Sequence, residues 1–421
     1  GNILYLEMGP GRTGEVTLAN GRLFQAQPAA GHVNAKASEG GKNVVASING
    51  GYFDSYSGGN QVYATIIRGG EVINGGGEKP TLVFTSDGRA LIDRVKIETK
   101  IELRNEGETA ITVYAVNSYS ADNTWASALI TPDYGRALTV APDARVVTIE
   151  QSVITGIRTG GTIPALNWGT TVLVINSSAW NNLAAYYNEP QVGNAAIRKT
   201  VYTPQHDPAS KWTNIVNGVG AGPLLLKDGA DVCDQNADFT NPKQSADYVS
   251  ARSFAAIMGD GRLAIGSAKS ASMRALAQYL KGQGAVDAIA LDGGASTYLS
   301  YNGSTLHTAG RNLANVLHIV DYASGVLPQG VRARDFDSPS DWAQSTISAA
   351  VSEGLVPAAL QSGYQKNITR EEFCQLIGAL LRKQMSDYDS KLYSTGVTYE
   401  QARAALTDSW DIDVILSLIH I

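Results

Sequence analysis

At 421 residues the chain exceeds what one hydrophobic core ordinarily covers, and with 43% hydrophobic against 17% charged residues it reads as two or three globular domains. A net charge of −6 without any basic block argues against a nucleic-acid or anionic-membrane partner, because such surfaces recruit clustered Lys and Arg. No apolar run reaches the roughly 18 to 20 residues that cross a bilayer, so no membrane insertion is expected.

From about residue 1 to 325 short apolar stretches are broken by glycine and by Asp-Gly pairs, the texture of a strand-rich domain. LVFTSDGRALI (82–92), LLLKDGADV (224–232) and AAIMGDGRLAIG (255–266) each predict strand, tight turn, strand. Helical periodicity is scarce. SASMRALAQYLKGQG (270–284) has it, with Met273, Leu276, Ala277 and Leu280 on one face and Gly282 and Gly284 as stop signals. Hairpin, helix and a further strand then lead into IALDGGASTYL (289–299).

Across 326–334, VLPQGVRAR, the texture changes and reads as a linker. DWAQSTISAAVSEGLV (341–356) spaces Trp342, Ile347, Val351 and Leu355 as a buried helical stripe closed by Gly354. ITREEFCQLIGALLRK (368–383) opens with Thr369 and Glu372 in capping-box spacing and turns Phe373, Leu376, Ile377 and Leu380 inward. The expected fold class is therefore α+β: a strand-rich catalytic domain with few helices over 1–325, and a small all-α module over 335–415. Cys233 and Cys374 fall far apart, one in each part, and build neither a disulfide framework nor a thiolate metal site.

The helical segment resembles a surface-layer homology module, with its Trp-bearing helix and its Thr369-Arg370-Glu371 motif, and LTDSWDIDV from Leu406 resembles the start of a second copy. That resemblance implies an exported bacterial protein held to cell-wall polysaccharide, with Trp342 and Arg370 as wall-polymer contacts. The plain alternative is a helical hairpin of no special purpose. The sequence starts at Gly1, so any export signal is expected to have been removed or left uncaptured. LSLIHI (416–421) is what CTGTCTCTTATACACATC translates to, which resembles a sequencing-library adapter end, and it is expected to be foreign to the protein, His420 included; a genuine apolar tail is the alternative.

Histidines 32, 206, 307, 318 and 420 show no zinc-ligand spacing, and His318 alternates with apolar neighbours as a core residue does; no cofactor is expected, while a Ca²⁺ site built from loop oxygens is left open. In NGVGAGPLLL (217–226) Pro223 and three leucines announce a strand, so the glycines do not open a phosphate-binding helix; they suit close passage of the backbone past a ligand or a neighbouring strand. Ser296 near Asp292 lacks the nucleophile elbow of a serine hydrolase.

SINGGYFD (47–54) and IALDGGASTYL share a design: an apolar strand ends, one short polar side chain follows, then two glycines. Glycine allows a sharp turn and leaves amides bare, so Asn49 and Asp292 are expected to project into a cleft with donors beside them; an ordinary Asx turn is the alternative at each. Taken with the Gly220–Leu226 strand, the Arg252–Gly261 hairpin and the closing segment from Arg311 to Asn315, the order of these segments resembles the phosphodiester glycosidase family. Ala251 stands where that family often has Pro, and AIGSAKSASM lacks the Asp-Gly-Arg usual before the helix, leaving Lys269 as the candidate replacement cation.

The resemblance implies hydrolysis of a sugar phosphodiester with release of the sugar. On that reading Arg252 and Arg311 clamp the phosphate, because a guanidinium offers parallel donors and stays charged. Asp292 acts as general base or stabilises charge at the anomeric carbon, with Asn49 beside it. Asn217, Ser296, and the amides near Gly50, Gly51, Gly293 and Gly294 orient the substrate, and Asp54 is a possible second carboxylate. A non-catalytic wall-carbohydrate-binding protein and a conventional glycosidase are the rival readings.

Overall fold

The three Asp-Gly sites turn as their residues dictate. Gly88, Gly229 and Gly261 take positive φ of 82°, 75° and 89°, where a side chain is strained, and join Gly77–Thr85 to Ala90–Arg104, Leu224–Lys227 to Ala230–Asp231, and Ser250–Met258 to Leu263–Ala271. The structure is a computed structural model that describes residues 1–325 apart from 105–107, 168, 188 and 236–238, together with Leu327 and scattered positions between 347 and 379. The chain divides into two compact units, Gly1–Arg334 and Asp335–Ile421.

Among its described residues the first unit holds three sheets. A six-stranded antiparallel sheet runs in the order Asn2–Leu6, Leu263–Ala271, Ser250–Met258, Ala285–Ala290, Leu224–Lys227, Ala230–Asp231. A five-stranded sheet runs Arg12–Leu18, Asn315–Tyr322, Lys42–Asn49, Leu299–Tyr301, Ser304–His307. The third sheet has twelve strands and includes the long Ala90–Arg104 and Leu138–Glu150. Apolar side chains of all three meet in one core, where Ile265 and Ile289 pack with Ile48, Leu317, Leu82 and Phe84. Gly14 lets Phe84 close into that core, since a Cβ there would stand 2.1 Å from the ring. Truncating so large a buried ring typically costs about 3–5 kcal/mol.

Three α-helices stand among the described residues of this unit: Ala29–Ala37, Ser177–Tyr186 and Met273–Gly282. The third follows the apolar period, with Met273, Leu276, Ala277 and Leu280 all buried and Ser272 Oγ capping it by accepting from Ala275 N at 3.1 Å. The other two escape that reading. Ala29–Ala37 buries a histidine and a lysine, His32 and Lys36, rather than an apolar stripe. His318 is fully buried, as expected of a core residue, with its ring held by Ser47 Oγ at 2.7 Å and Thr17 Oγ1 at 2.8 Å.

In the second unit Ile347, Ala350 and Val351 are helical, and Gly354, at φ 73°, ends the turn with its amide on Val351 O at 3.0 Å. Trp342, Arg370, Cys374, the linker other than Leu327, the second copy from Leu406 and the tail 416–421 lie outside the described residues.

Candidate active site

Two sheets deliver the two Gly-Gly turns to one place. Asn49 ends the strand Lys42–Asn49 of the five-stranded sheet, and Asp292 follows the strand Ala285–Ala290 of the six-stranded one. Asp292 N donates to Gly50 O at 3.0 Å, and Asn49 Nδ2 donates to Asp292 O at 2.5 Å. Asn49 Oδ1 accepts from Ser253 Oγ at 2.6 Å and from Tyr298 N at 3.0 Å. Asn49 is only 1% exposed, which corrects the expectation that it projects into the cleft. Its amide reads three chain segments at once, so it positions Asp292 from behind.

The glycines beside it are also turned inward. Gly50 N donates to Asn315 O at 3.1 Å and Gly51 N to Asn315 Oδ1 at 2.8 Å, while Asn315 Nδ2 returns a bond to Gly51 O at 3.0 Å. A Cβ on Gly50 would fall 2.0 Å from Asn315 Oδ1, and one on Gly51 2.3 Å from Gly220 O. Glycine is required here for close packing of backbone on backbone, and the amides expected to face substrate are already engaged.

In front of this knot opens a cleft of about 520 Å³, the size of an ordinary small-molecule site. It is lined by Arg252, Asp292, Gly293, Gly294, Asp54 and Arg311. Asp292 and Arg252, some forty positions apart in the chain, therefore share one hollow. Gly293 has no room for a side chain, since a Cβ would lie 2.8 Å from Ala251 O, and Gly294 is left-handed at φ 61°.

Burial pushes the Asp292 carboxyl up to about 6; the Arg311 charge and the Gly293 amide hold it from rising further. Arg252, 4% exposed, donates Nε to Ala271 O and Nη1 to Lys243 O, both at 3.2 Å, and Nη2 to Tyr248 O. Burial lowers its pKa, yet a guanidinium remains charged. Carbonyls fix the fork while leaving its charge without a carboxylate among these partners. Arg311 Nη1 donates to Ser55 Oγ, and its guanidinium lies 5.6 Å from the Tyr56 ring.

Other expected residues fall elsewhere. Asn217 is buried at 6% exposure in the strand Ile215–Gly220, with Oδ1 facing Gly69 N at 3.4 Å, and does not line the cleft. Ser296 is 1% exposed, and its Oγ is buried without a hydrogen-bond partner and does not line the cleft. Lys269 is exposed near His307, whose pKa is lowered by burial and then by the Lys269 charge, and it does not line the cleft. Asp54 lines the cleft, but Oδ1 accepts from Tyr56 N at 3.2 Å and Ser57 N at 3.0 Å and Oδ2 from Ser57 Oγ, which makes it the Asx turn of its own loop.

The cleft also holds residues that sequence reasoning missed: Tyr52, Tyr56, Tyr63, Lys243 and Tyr248. Tyr52 Oη donates to Gly222 O at 2.6 Å, and Lys243 Nζ sits 5.9 Å from the Tyr56 ring. Three of these tyrosines stand in GYFDSYSGGNQVY (51–63), and their density directly after the Gly-Gly turn was the available signal. No cluster of three metal-ligating side chains occurs among the described residues.

One carboxylate titrating near neutrality beside fixed cations defines a candidate hydrolase site. Residues 143–320 match the phosphodiester glycosidase family model. That stretch carries Arg252, Asp292 and Arg311, whereas the Asn49-Gly50-Gly51 turn precedes it. A hypothetical protein from Synechocystis shares the fold with a TM-score of 0.57 at 19% identity, over 76% of this chain and 61% of that one. A protein of Burkholderia pseudomallei K96243 does so with a TM-score of 0.56 at 15% identity, over 75% of this chain and 73% of that one. The catalytic domain of zebrafish N-acetylglucosamine-1-phosphodiester alpha-N-acetylglucosaminidase, auto-inhibited by its pro-peptide, aligns over 76% of this chain and 82% of its own at 15% identity, with a TM-score of 0.36. No curated protein matches the sequence.

Proposed function

We propose that this chain hydrolyses a glycosyl-1-phosphodiester, releasing the sugar and leaving a phosphomonoester, in a bacterial protein that is exported and attached to the cell wall. The observation that carries the reading is the shared cleft of Arg252 and Asp292. A conventional glycosidase needs two carboxylates, because an alkoxide leaves poorly and must be protonated. Here Asp54 is engaged by its loop, which leaves Asp292 as the acid available for chemistry. A phosphate monoester anion leaves without that help.

Arg252, with Arg311 at the rim, holds the phosphate and takes up the charge that grows on it as the glycosidic bond breaks. Asp292, mostly ionised at neutral pH, accepts a proton from the attacking water. The anomeric carbon bonds to that water's oxygen as its bond to the phosphate oxygen breaks, and the phosphate keeps the bonding electrons. Attachment to the wall rests on the resemblance of Trp342 and the Thr369-Arg370-Glu371 segment to a surface-layer homology module.

The test is incubation of the full chain with N-acetylglucosamine-1-phosphate methyl diester, scored for free sugar, with an aryl glycoside and a phosphate monoester as controls. Release of sugar from the diester alone supports the reading. Cleavage of only the aryl glycoside favours a conventional glycosidase, and binding without cleavage favours a carbohydrate-binding protein.

A further inference from the structure

A second hollow adjoins the first. It measures about 500 Å³ and shares Tyr63 as a common wall with the Asp292 cleft. The wall is tied down at its base: Asp54 N donates to Gln61 O at 2.8 Å and Tyr63 N to Tyr52 O at 2.9 Å. Tyr63 thus stands between the two hollows, half exposed at 50%, close enough to Asp54 that burial and that carboxylate's charge push its phenol up.

On the far side stands Tyr114, 67% exposed. Between the two tyrosines runs Gly75-Gly76-Gly77, all at positive φ of 93°, 148° and 74°, so the floor is bare main chain. A Cβ on Gly75 would meet Thr65 Oγ1 at 2.9 Å. Lys79, Lys96 and Glu98 are among the other lining residues; Lys96 Nζ bridges Glu98 Oε1 at 3.0 Å, and Lys79 Nζ donates to Tyr63 O at 3.3 Å. Exposed aromatic faces over a polar floor suit a ring that is apolar on its C–H face and hydroxylated at its edge.

We propose that the hollow between Tyr63 and Tyr114 binds a further sugar unit of a glycosyl-phosphate polymer whose phosphodiester lies at Asp292, so that the substrate is a polymer and not a small diester. This rests on the proposed hydrolysis for what occupies the first cleft. The second hollow has its own observable, which is binding.

Full-length wild type, Tyr114→Ala and Tyr114→Phe are compared on the methyl diester and on a tetramer of N-acetylglucosamine 1-phosphate joined through phosphodiesters. Wild type should favour the tetramer. Tyr114→Ala should raise the tetramer KM roughly three- to tenfold, the scale of one aromatic contact, and leave the methyl diester unchanged. Tyr114→Phe should retain the preference. Equal effects of Tyr114→Ala on both substrates, or no tetramer preference in wild type, would overturn the proposal. If wild type cleaves neither compound, the hydrolysis reading fails and the hollow is judged by titrating Asp292→Asn with both. Tighter binding of the tetramer that disappears in Asp292→Asn/Tyr114→Ala supports the site, and equal binding sinks it.

Discussion

Arg252 and Asp292 stand opposite each other at the open end of one antiparallel strand pair, each two residues beyond the paired Phe254 and Ala290. Leu291 N donates to Ser253 O at 2.8 Å, which carries the pairing to their doorstep. Residues facing each other on such a pair point to the same side, so the sheet itself brings guanidinium and carboxylate to one cleft. No ion pair joins them among the described residues, since Arg252 gives its donors to the carbonyls of Lys243, Tyr248 and Ala271. The two charges are held near each other yet apart, which leaves room for a substrate between them.

Asp292 should report on both activity and stability. Its carboxyl is raised from the ordinary 3.8 to about 6, so the folded chain holds that proton more tightly than the unfolded chain does. The group's stabilising contribution is whole at pH values below the unfolded pKa and is lost as pH rises through the folded one, a swing on the order of 1–3 kcal/mol. Asp292→Asn should therefore melt higher than wild type above pH 6, with the gap closing toward pH 4. A gap of the same size at both ends would exclude burial of the charge as its source. In the same variant kcat should fall at least ~10²-fold, and wild-type kcat/KM should climb from the acid side through a pKa near 6.

Arg252→Lys separates the clamp from the base. An ammonium cannot reproduce a planar fork that reaches three carbonyls and still faces the cleft. With charged hydrogen bonds worth about 1.5–3 kcal/mol each, kcat/KM on the diester should drop roughly 10- to 150-fold. Competitive inhibition by inorganic phosphate should weaken in Arg252→Lys and persist in Asp292→Asn. Phosphate binding with wild-type affinity in Arg252→Lys would remove Arg252 from the clamp.

Much of this was legible in the sequence because local chemistry decided it. The Asp-Gly turns, the helix Met273–Gly282 and the strand that ends at Asp292 all follow from residues within a few positions of one another. What the sequence concealed was direction. Asn49 and Asp292 occupy like positions in like motifs, but one faces the interior and the other the cleft, because Ser253 and Tyr298 reach Asn49 from more than two hundred positions away. The same long-range bond from Asn315 occupies the glycine amides that local reasoning left bare. Ala29–Ala37 was hidden for a kindred reason: of the two carboxylates that meet the buried Lys36 at 2.7 Å, Glu39 lies three positions on, but Glu15 stands on another element.

The Gly51 site tests whether close backbone passage is what the Gly-Gly turn is for. A Cβ there would sit 2.3 Å from Gly220 O and 2.6 Å from the Ala64 Cβ. Neither is the flexible end of a long side chain, so the strands must separate. Gly51→Ala should destabilise by about 1–3 kcal/mol or more, as overpacking does, with urea midpoints falling accordingly. Gly21→Ala meets nothing within 4 Å, although its φ of 70° strains it, and serves as a control for backbone strain without a clash. A Gly51→Ala no worse than Gly21→Ala would show that the contact yields.

Asp54 offers the sharpest contrast with Asp292, because both carboxylates line the same cleft. Asp54 Oδ1 caps the amides of Tyr56 and Ser57, and Oδ2 takes the Ser57 hydroxyl. An asparagine can keep the amide-capping role through its Oδ1, since an Asx turn needs an acceptor rather than a charge. Asp54→Asn should therefore lower kcat less than about tenfold, well under the loss expected for a general base. Asp54→Ala removes the acceptor, frees the loop that carries Tyr56, and should raise KM with little change in kcat. If Asp54→Asn instead matched Asp292→Asn in kcat, the site would be a two-carboxylate one, and hydrolysis of an aryl glycoside would become its expected reaction.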